Sequence, residues 1–145
     1  LGTMSKAFGL AGARVGYAIA PASLAGLLDG LRPPGSIGTA SAALAVQALG
    51  EREWLEEHLA AIASLRASLA DGLASLGLEP IPSTANFVLC EIGEMAGEAA
   101  ERLMDRGVVV RSFGEGHPLA RFLRFTVRLP DQQDRMLEEL GRELP

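Results

Sequence analysis

Apolar positions along the chain alternate between helical spacing and strand-like runs, and the changes mark out the elements. After a glycine-rich opening, Arg14-Val15-Gly16-Tyr17-Ala18-Ile19-Ala20 has strand composition. Pro21-Ala22-Ser23 starts a helix with an apolar series at Leu24, Leu27, Leu28 and Leu31. Arg32-Pro33-Pro34-Gly35-Ser36 must break it, because proline lacks the amide proton and clashes with the preceding turn. Thr39 or Ser41 is placed to cap a second helix that runs to about Leu49 and ends at Gly50. A third helix is predicted from about Arg52 to Ser75. Its apolar residues Trp54, Leu55, Leu59, Ile62, Leu65, Leu69 and Leu73 recur mostly at steps of three or four and share one face.

Gly77 stops that helix, and Pro80 to Thr84 reads as a linker into a strand over Asn86 to Ile92. Residues 96–106 suit a helix ended by Gly107, and Val108-Val109-Val110-Arg111 reads as a strand. A polar, glycine-bearing loop then leads to a strand over Phe122 to Val127 and a helix from about Pro130 to Leu144. From residue 77 on, this succession describes an α+β unit with its own core.

Composition narrows the class of function. The 145 residues are 48% hydrophobic and 21% charged, enough apolar material for a folded core. Thirteen basic residues against eighteen acidic ones, never run together, argue against a general nucleic-acid binder and favour small-molecule chemistry. The single Cys90 lies in an apolar stretch, so it forms no intrachain disulfide and reads as a buried thiol of an intracellular, cytoplasmic protein. No membrane span and no signal-peptide pattern is present, and a chain opening at Leu1 reads as part of a longer protein. Neither His58 nor His117 has partners at metal-ligand spacing. The cluster Glu51, Glu53, Glu56 and Glu57 is a solvated helix start, so no metal site is expected.

The chemistry concentrates in Thr3-x-Ser5-Lys6 with Arg14 eight residues after the lysine. Hydroxyls, backbone amides and a guanidinium around a glycine-rich turn can surround a phosphate. The segment matches neither the phosphate-loop pattern nor the dinucleotide-binding glycine pattern. On these residues alone, a solvated lysine beside a hydrophobic hairpin is the commoner reading.

The full run Thr3-Met4-Ser5-Lys6-Ala7-Phe8-Gly9-Leu10-Ala11-Gly12-Ala13-Arg14-Val15-Gly16-Tyr17 closely resembles the lysine segment of fold-type-I aminotransferases dependent on pyridoxal phosphate (PLP), especially the histidinol-phosphate aminotransferase group. The similarity continues through Ser83-Thr84-Ala85-Asn86-Phe87, Arg111 and Leu123-Arg124-Phe125-Thr126-Val127. It implies an α/β fold: residues 1–50 as the remainder of a PLP-binding large domain, 51–76 as a long connecting helix, and 77–145 as a small C-terminal α+β domain. Lys6 is then the residue that binds PLP covalently, Arg14 binds the cofactor phosphate, and Ser5 and Thr3 assist. A desolvated site with cationic neighbours lowers the lysine pKa so that its neutral amine can attack an aldehyde and afterwards move a proton. Arg124 is implied to hold the substrate carboxylate, with Arg111 helping at the anionic ends. Alternation within Phe122 to Val127 sets Arg124 on the side opposite Leu123, Phe125 and Val127.

The resemblance further implies amino-acid and 2-oxo-acid substrates and a homodimer at full length. Two departures bear on the substrate: Arg128 stands where many of the group have glycine, and Pro33-Pro34-Gly35-Ser36-Ile37 differs from their usual loop. A related branch, the threonine-phosphate decarboxylases, has similar motifs and is the alternative. A folding or dimerisation module without turnover is a third reading. Residues 1–145 alone are expected to be inactive, since the family's remaining cofactor contacts lie upstream of the lysine.

Overall fold

A computed structural model of the chain, describing residues 1–144, resolves these periodicities into five short strands and five α-helices among the described residues. They group into two compact units, Leu1–Leu59 and the residues from Ala60 on.

In the first unit, β1 (Gly2–Thr3) pairs antiparallel with β2 (Gly16–Tyr17). The strand expected over 14–20 is thus cut to two residues. Arg14 sits at φ 55°, ψ 38°, a left-handed conformation that no ladder accepts, at the end of a 3₁₀ turn over Ala11–Ala13. Gly2 faces Tyr17 across the hairpin, and a Cβ there would overlap the tyrosine ring. Helix α1 (Ala22–Leu31) starts after Pro21, and α2 (Thr39–Gly50) starts after Gly38, with no side-chain cap on either. The capping expected of Thr39 or Ser41 is absent because both already lie inside α2. Leu24, Leu27, Leu28 and Leu31 of α1 are all exposed.

Helix α3 (Arg52–Ser75) runs on into the second unit, where Leu69 and Leu73 are fully buried. There β3 (Pro80–Ile81), β4 (Phe87–Glu91) and β5 (Phe122–Thr126) form an antiparallel sheet in the order β3-β4-β5. Pro80 belongs to an edge strand rather than to the expected linker, a position where proline's missing N–H is tolerated. Period-two alternation buries Val88 and Cys90 of β4 and Leu123 and Phe125 of β5 on one face. Helices α4 (Ala96–Asp105) and α5 (Pro130–Gly141) add Ala96, Ala100, Leu103, Met136 and Leu140 to the same core. Burial holds the Cys90 thiol at a pKa of about 11, against opposing help from a backbone hydrogen bond, so it stays protonated and inert.

The strand expected over Val108–Arg111 does not form. Gly107 and Val108 still close the last turn of α4, their amides donating to the Met104 and Leu103 carbonyls (both 2.8 Å), and among the described residues only Arg111 bridges Arg124. Helix α5 ends at Gly141, three residues short of the expected Leu144.

Candidate functional site

Local hydrogen bonds shape the lysine hairpin. The Met4 amide donates to the Val15 carbonyl (3.0 Å), the Leu10 amide to Met4 (3.0 Å) and the Gly9 amide to Lys6 (3.0 Å). Met4 is buried and plugs the inside of the loop, while Lys6 stands exposed on the turn that Gly9 closes at φ +66°. Thr3 and Ser5 are brought together: the Thr3 hydroxyl donates to Ser5 Oγ (2.9 Å), and the Ser5 amide donates to Thr3 Oγ1 (3.2 Å). Arg14 Nη1 donates to the Ala11 carbonyl (3.0 Å), which steadies one arm of the fork. Lys6 and Arg14 share the hairpin without touching each other through a hydrogen bond among the described residues. No acidic residue precedes Asp29 in the chain, so the hairpin presents an ammonium, a guanidinium and two hydroxyls with no carboxylate of its own. That donor set fits a phosphate-bearing ligand whose carbonyl carbon a lysine amine can reach.

A second cationic centre lies in the other unit. Arg111 and Arg124 are directly opposite, exchanging both backbone bonds (Arg124 amide to Arg111 carbonyl 2.9 Å, Arg111 amide to Arg124 carbonyl 3.2 Å). Opposed residues of an antiparallel pair point to one face, here the face away from the helices. Like charges so placed repel, and neither guanidinium forms an ion pair among the described residues. Arg124 Nε is buried with no partner. An anion between the two side chains would relieve both penalties. Two aromatic supports escaped the sequence reading: Phe87 lies 5.0 Å from the Arg124 guanidinium carbon, and Phe113 lies 6.0 Å from that of Arg111. Phe87 sits two places along β4 from Leu89, the register partner of Arg124. Only the register reveals that neighbour.

The histidines have local partners. His58 stacks on Trp54 (4.9 Å between centroids), and His117 stacks on Phe113 (5.0 Å) while its Nδ1 accepts the Leu119 amide (3.0 Å). No helix among the described residues is long and apolar enough to cross a membrane.

Comparison with known proteins places these features in context. Residues 1–140 match the family model described as aminotransferase class I and II. The chain is 37% identical over 142 residues to histidinol-phosphate aminotransferase 2 of Pseudomonas aeruginosa, covering 98% of this chain and 38% of that protein. It is 41% identical over 142 residues to histidinol-phosphate aminotransferase 1 of Thiobacillus denitrificans, covering 98% of this chain and 36% of that protein. The crystal structure of histidinol-phosphate aminotransferase from Sinorhizobium meliloti in complex with pyridoxal-5'-phosphate superposes with a TM-score of 0.86 at 34% identity, covering 99% of this chain and 40% of that one. The chain thus spans well under half the length of these relatives.

Proposed function

With residues 1–140 matching its model, the chain belongs to the class I and II aminotransferase family, and on that premise we propose that it carries the lysine, phosphate and substrate-arginine groups of a transaminase. PLP is the cofactor that this membership implies. When bound, it supplies an electron sink for the carbanion formed at an amino-acid α-carbon. Lys6 would anchor it covalently and would hold or move the proton at that carbon. Arg14, Ser5 and Thr3 hold the phosphate end. Arg124 grips the substrate's carboxylate, and Arg111 shares the load at its anionic end through charge-assisted hydrogen bonds. The observation that carries this reading is the acid-free hairpin that joins Thr3, Ser5, Lys6 and Arg14.

In the full-length protein, the donor is histidinol phosphate or a similar amino compound and the acceptor a 2-oxo acid, in keeping with the names of the relatives. The first fifty residues complete the large domain, residues 51–76 connect, and 77–145 form the small domain of a homodimeric enzyme. Residues 1–145 alone have no turnover. The test is borohydride trapping of the full-length protein with PLP, followed by mass mapping, which is expected to find the label on Lys6. Incubation with histidinol phosphate and 2-oxoglutarate is expected to yield glutamate. Carbon dioxide from threonine phosphate in its place would reassign the protein to decarboxylation, and a label elsewhere would remove Lys6 from the centre.

A further inference from the structure

The break in pairing beside β5 leaves a cavity of about 360 Å³ that the transaminase reading does not use. After the Arg111–Arg124 bridge, the next bonded pair in an antiparallel ladder would be Val109 with Thr126. No backbone hydrogen bond joins them among the described residues, and the chain from Gly107 to Val110 stands off as one wall. The first turns of α5 form the opposite wall, and Phe125 and Met136 make an apolar floor. Arg124 is not part of this lining.

The charge of the lining is one-sided. Its only ionisable residues are Arg128 and Arg135, in a chain with eighteen acidic residues against thirteen basic ones. Elsewhere in this unit Arg102, Arg106, Arg121 and Arg142 all pair with glutamates. Arg128 has no side-chain partner among the described residues, and its backbone N–H donates a hydrogen bond to Gln133 Oε1 (3.3 Å). Arg135 spends one arm on the Arg106 carbonyl (2.8 Å), which fixes the fork while leaving its remaining donors free. Two exposed guanidiniums with no carboxylate among the lining residues, that of Arg135 anchored on the Arg106 carbonyl, together with Gln132 and an apolar floor, form a receptor for a small anion with an apolar body.

We propose that this cavity is an anion-binding site separate from the Arg111–Arg124 row, taking a small carboxylate with a compact branched apolar body between Arg128 and Arg135. The site stands independently of the catalytic reading. It is tested by calorimetric titration of the full-length protein carrying Arg124→Gln, which silences the proposed substrate arginine, with 3-methylbutanoate and separately with inorganic phosphate. Saturable binding of 3-methylbutanoate, about tenfold weaker after adding Arg128→Gln or Arg135→Gln, is the expected result. Gln132→Glu, which suits the first turn of a helix and preserves the fold, is expected to weaken binding similarly by placing a carboxylate on the wall. Absence of saturable binding, or binding that ignores all three substitutions, overturns the site. Phosphate binding as tightly as 3-methylbutanoate overturns the assignment of an apolar-bodied ligand.

Discussion

At Arg14 the backbone and the side chain favour different residues. A left-handed conformation costs a residue with a Cβ about 1–2 kcal/mol, and glycine is the usual solution. Keeping arginine there makes sense if the guanidinium serves a phosphate. Arg14→Gly is therefore expected to leave thermal stability at or above that of the parent, while PLP affinity of the full-length protein, measured by absorbance titration, falls about tenfold or more. A drop in stability with unchanged affinity would return Arg14 to a purely structural role. Arg124→Lys keeps the charge but loses the planar fork over Phe87. It is expected to raise KM for the amino donor by roughly ten- to a hundredfold, with a smaller change in kcat. Thr3, Ser5, Lys6 and Arg14 were legible as a group because they are close in sequence. Phe87 was not, because it meets Arg124 only through strand register, and no local pattern encodes register between segments more than thirty residues apart.

Elements were legible where one periodicity ran unopposed, as in α3 and β5, and less so where the end of a neighbouring helix still held the chain. Val108–Val110 has better strand composition than Pro80–Ile81, yet only the latter pairs, since Gly107 and Val108 still close the last turn of α4 through their bonds to Met104 and Leu103. Helices α4 and α5 are joined by charge: Glu143, whose side chain is almost wholly buried, meets Arg102 (3.1 Å) and Arg106 (2.6 Å), and Glu139 meets Arg106 (3.1 Å) and Arg142 (2.6 Å). Desolvation pushes the Glu139 carboxyl upward, but hydrogen bonds and charge from Arg106 and Arg142 outweigh it and hold the group below its ordinary value of 4.5. A depressed carboxylate pKa gives stability that is present above the ordinary value and is lost as the pH falls through the depressed one. Thermal unfolding of the parent and Glu139→Gln should thus differ at pH 7 and converge as the solution is acidified below pH 4.5. A constant gap would show that the ion pairs contribute nothing through titration. Gln133 ties the same region together neutrally, donating to the Leu65 carbonyl (3.3 Å) while accepting the Arg128 amide. Gln133→Ala is expected to cost about 1–3 kcal/mol in denaturant unfolding, because it leaves the Arg128 amide without its partner and removes the link to α3.

At the scale of the molecule, the two units differ in how far they satisfy themselves. From Ala60 on, helices from three segments close over one sheet face, and the buried set includes Leu69, Leu103, Phe125 and Leu140. In Leu1–Leu59 only Met4 and Ala45 are buried, and the leucines that the α1 periodicity aligns are left in solvent. An aligned apolar stripe on an exposed helix encodes a packing partner, and contiguous apolar surface of this kind is rare on self-sufficient domains. The sequence reported the stripe faithfully but not what covers it. The aligned relatives carry more than half of their residues outside the matched span. Separate expression of residues 60–145 is therefore expected to give a cooperative thermal transition and dispersed amide resonances, whereas residues 1–59 give neither, because they lack the buried area to offset the entropy of ordering their chain. Cooperative unfolding of residues 1–59 alone would mean that the α1 leucines find a partner within the unit, and that the lysine hairpin needs no further polypeptide to hold its shape.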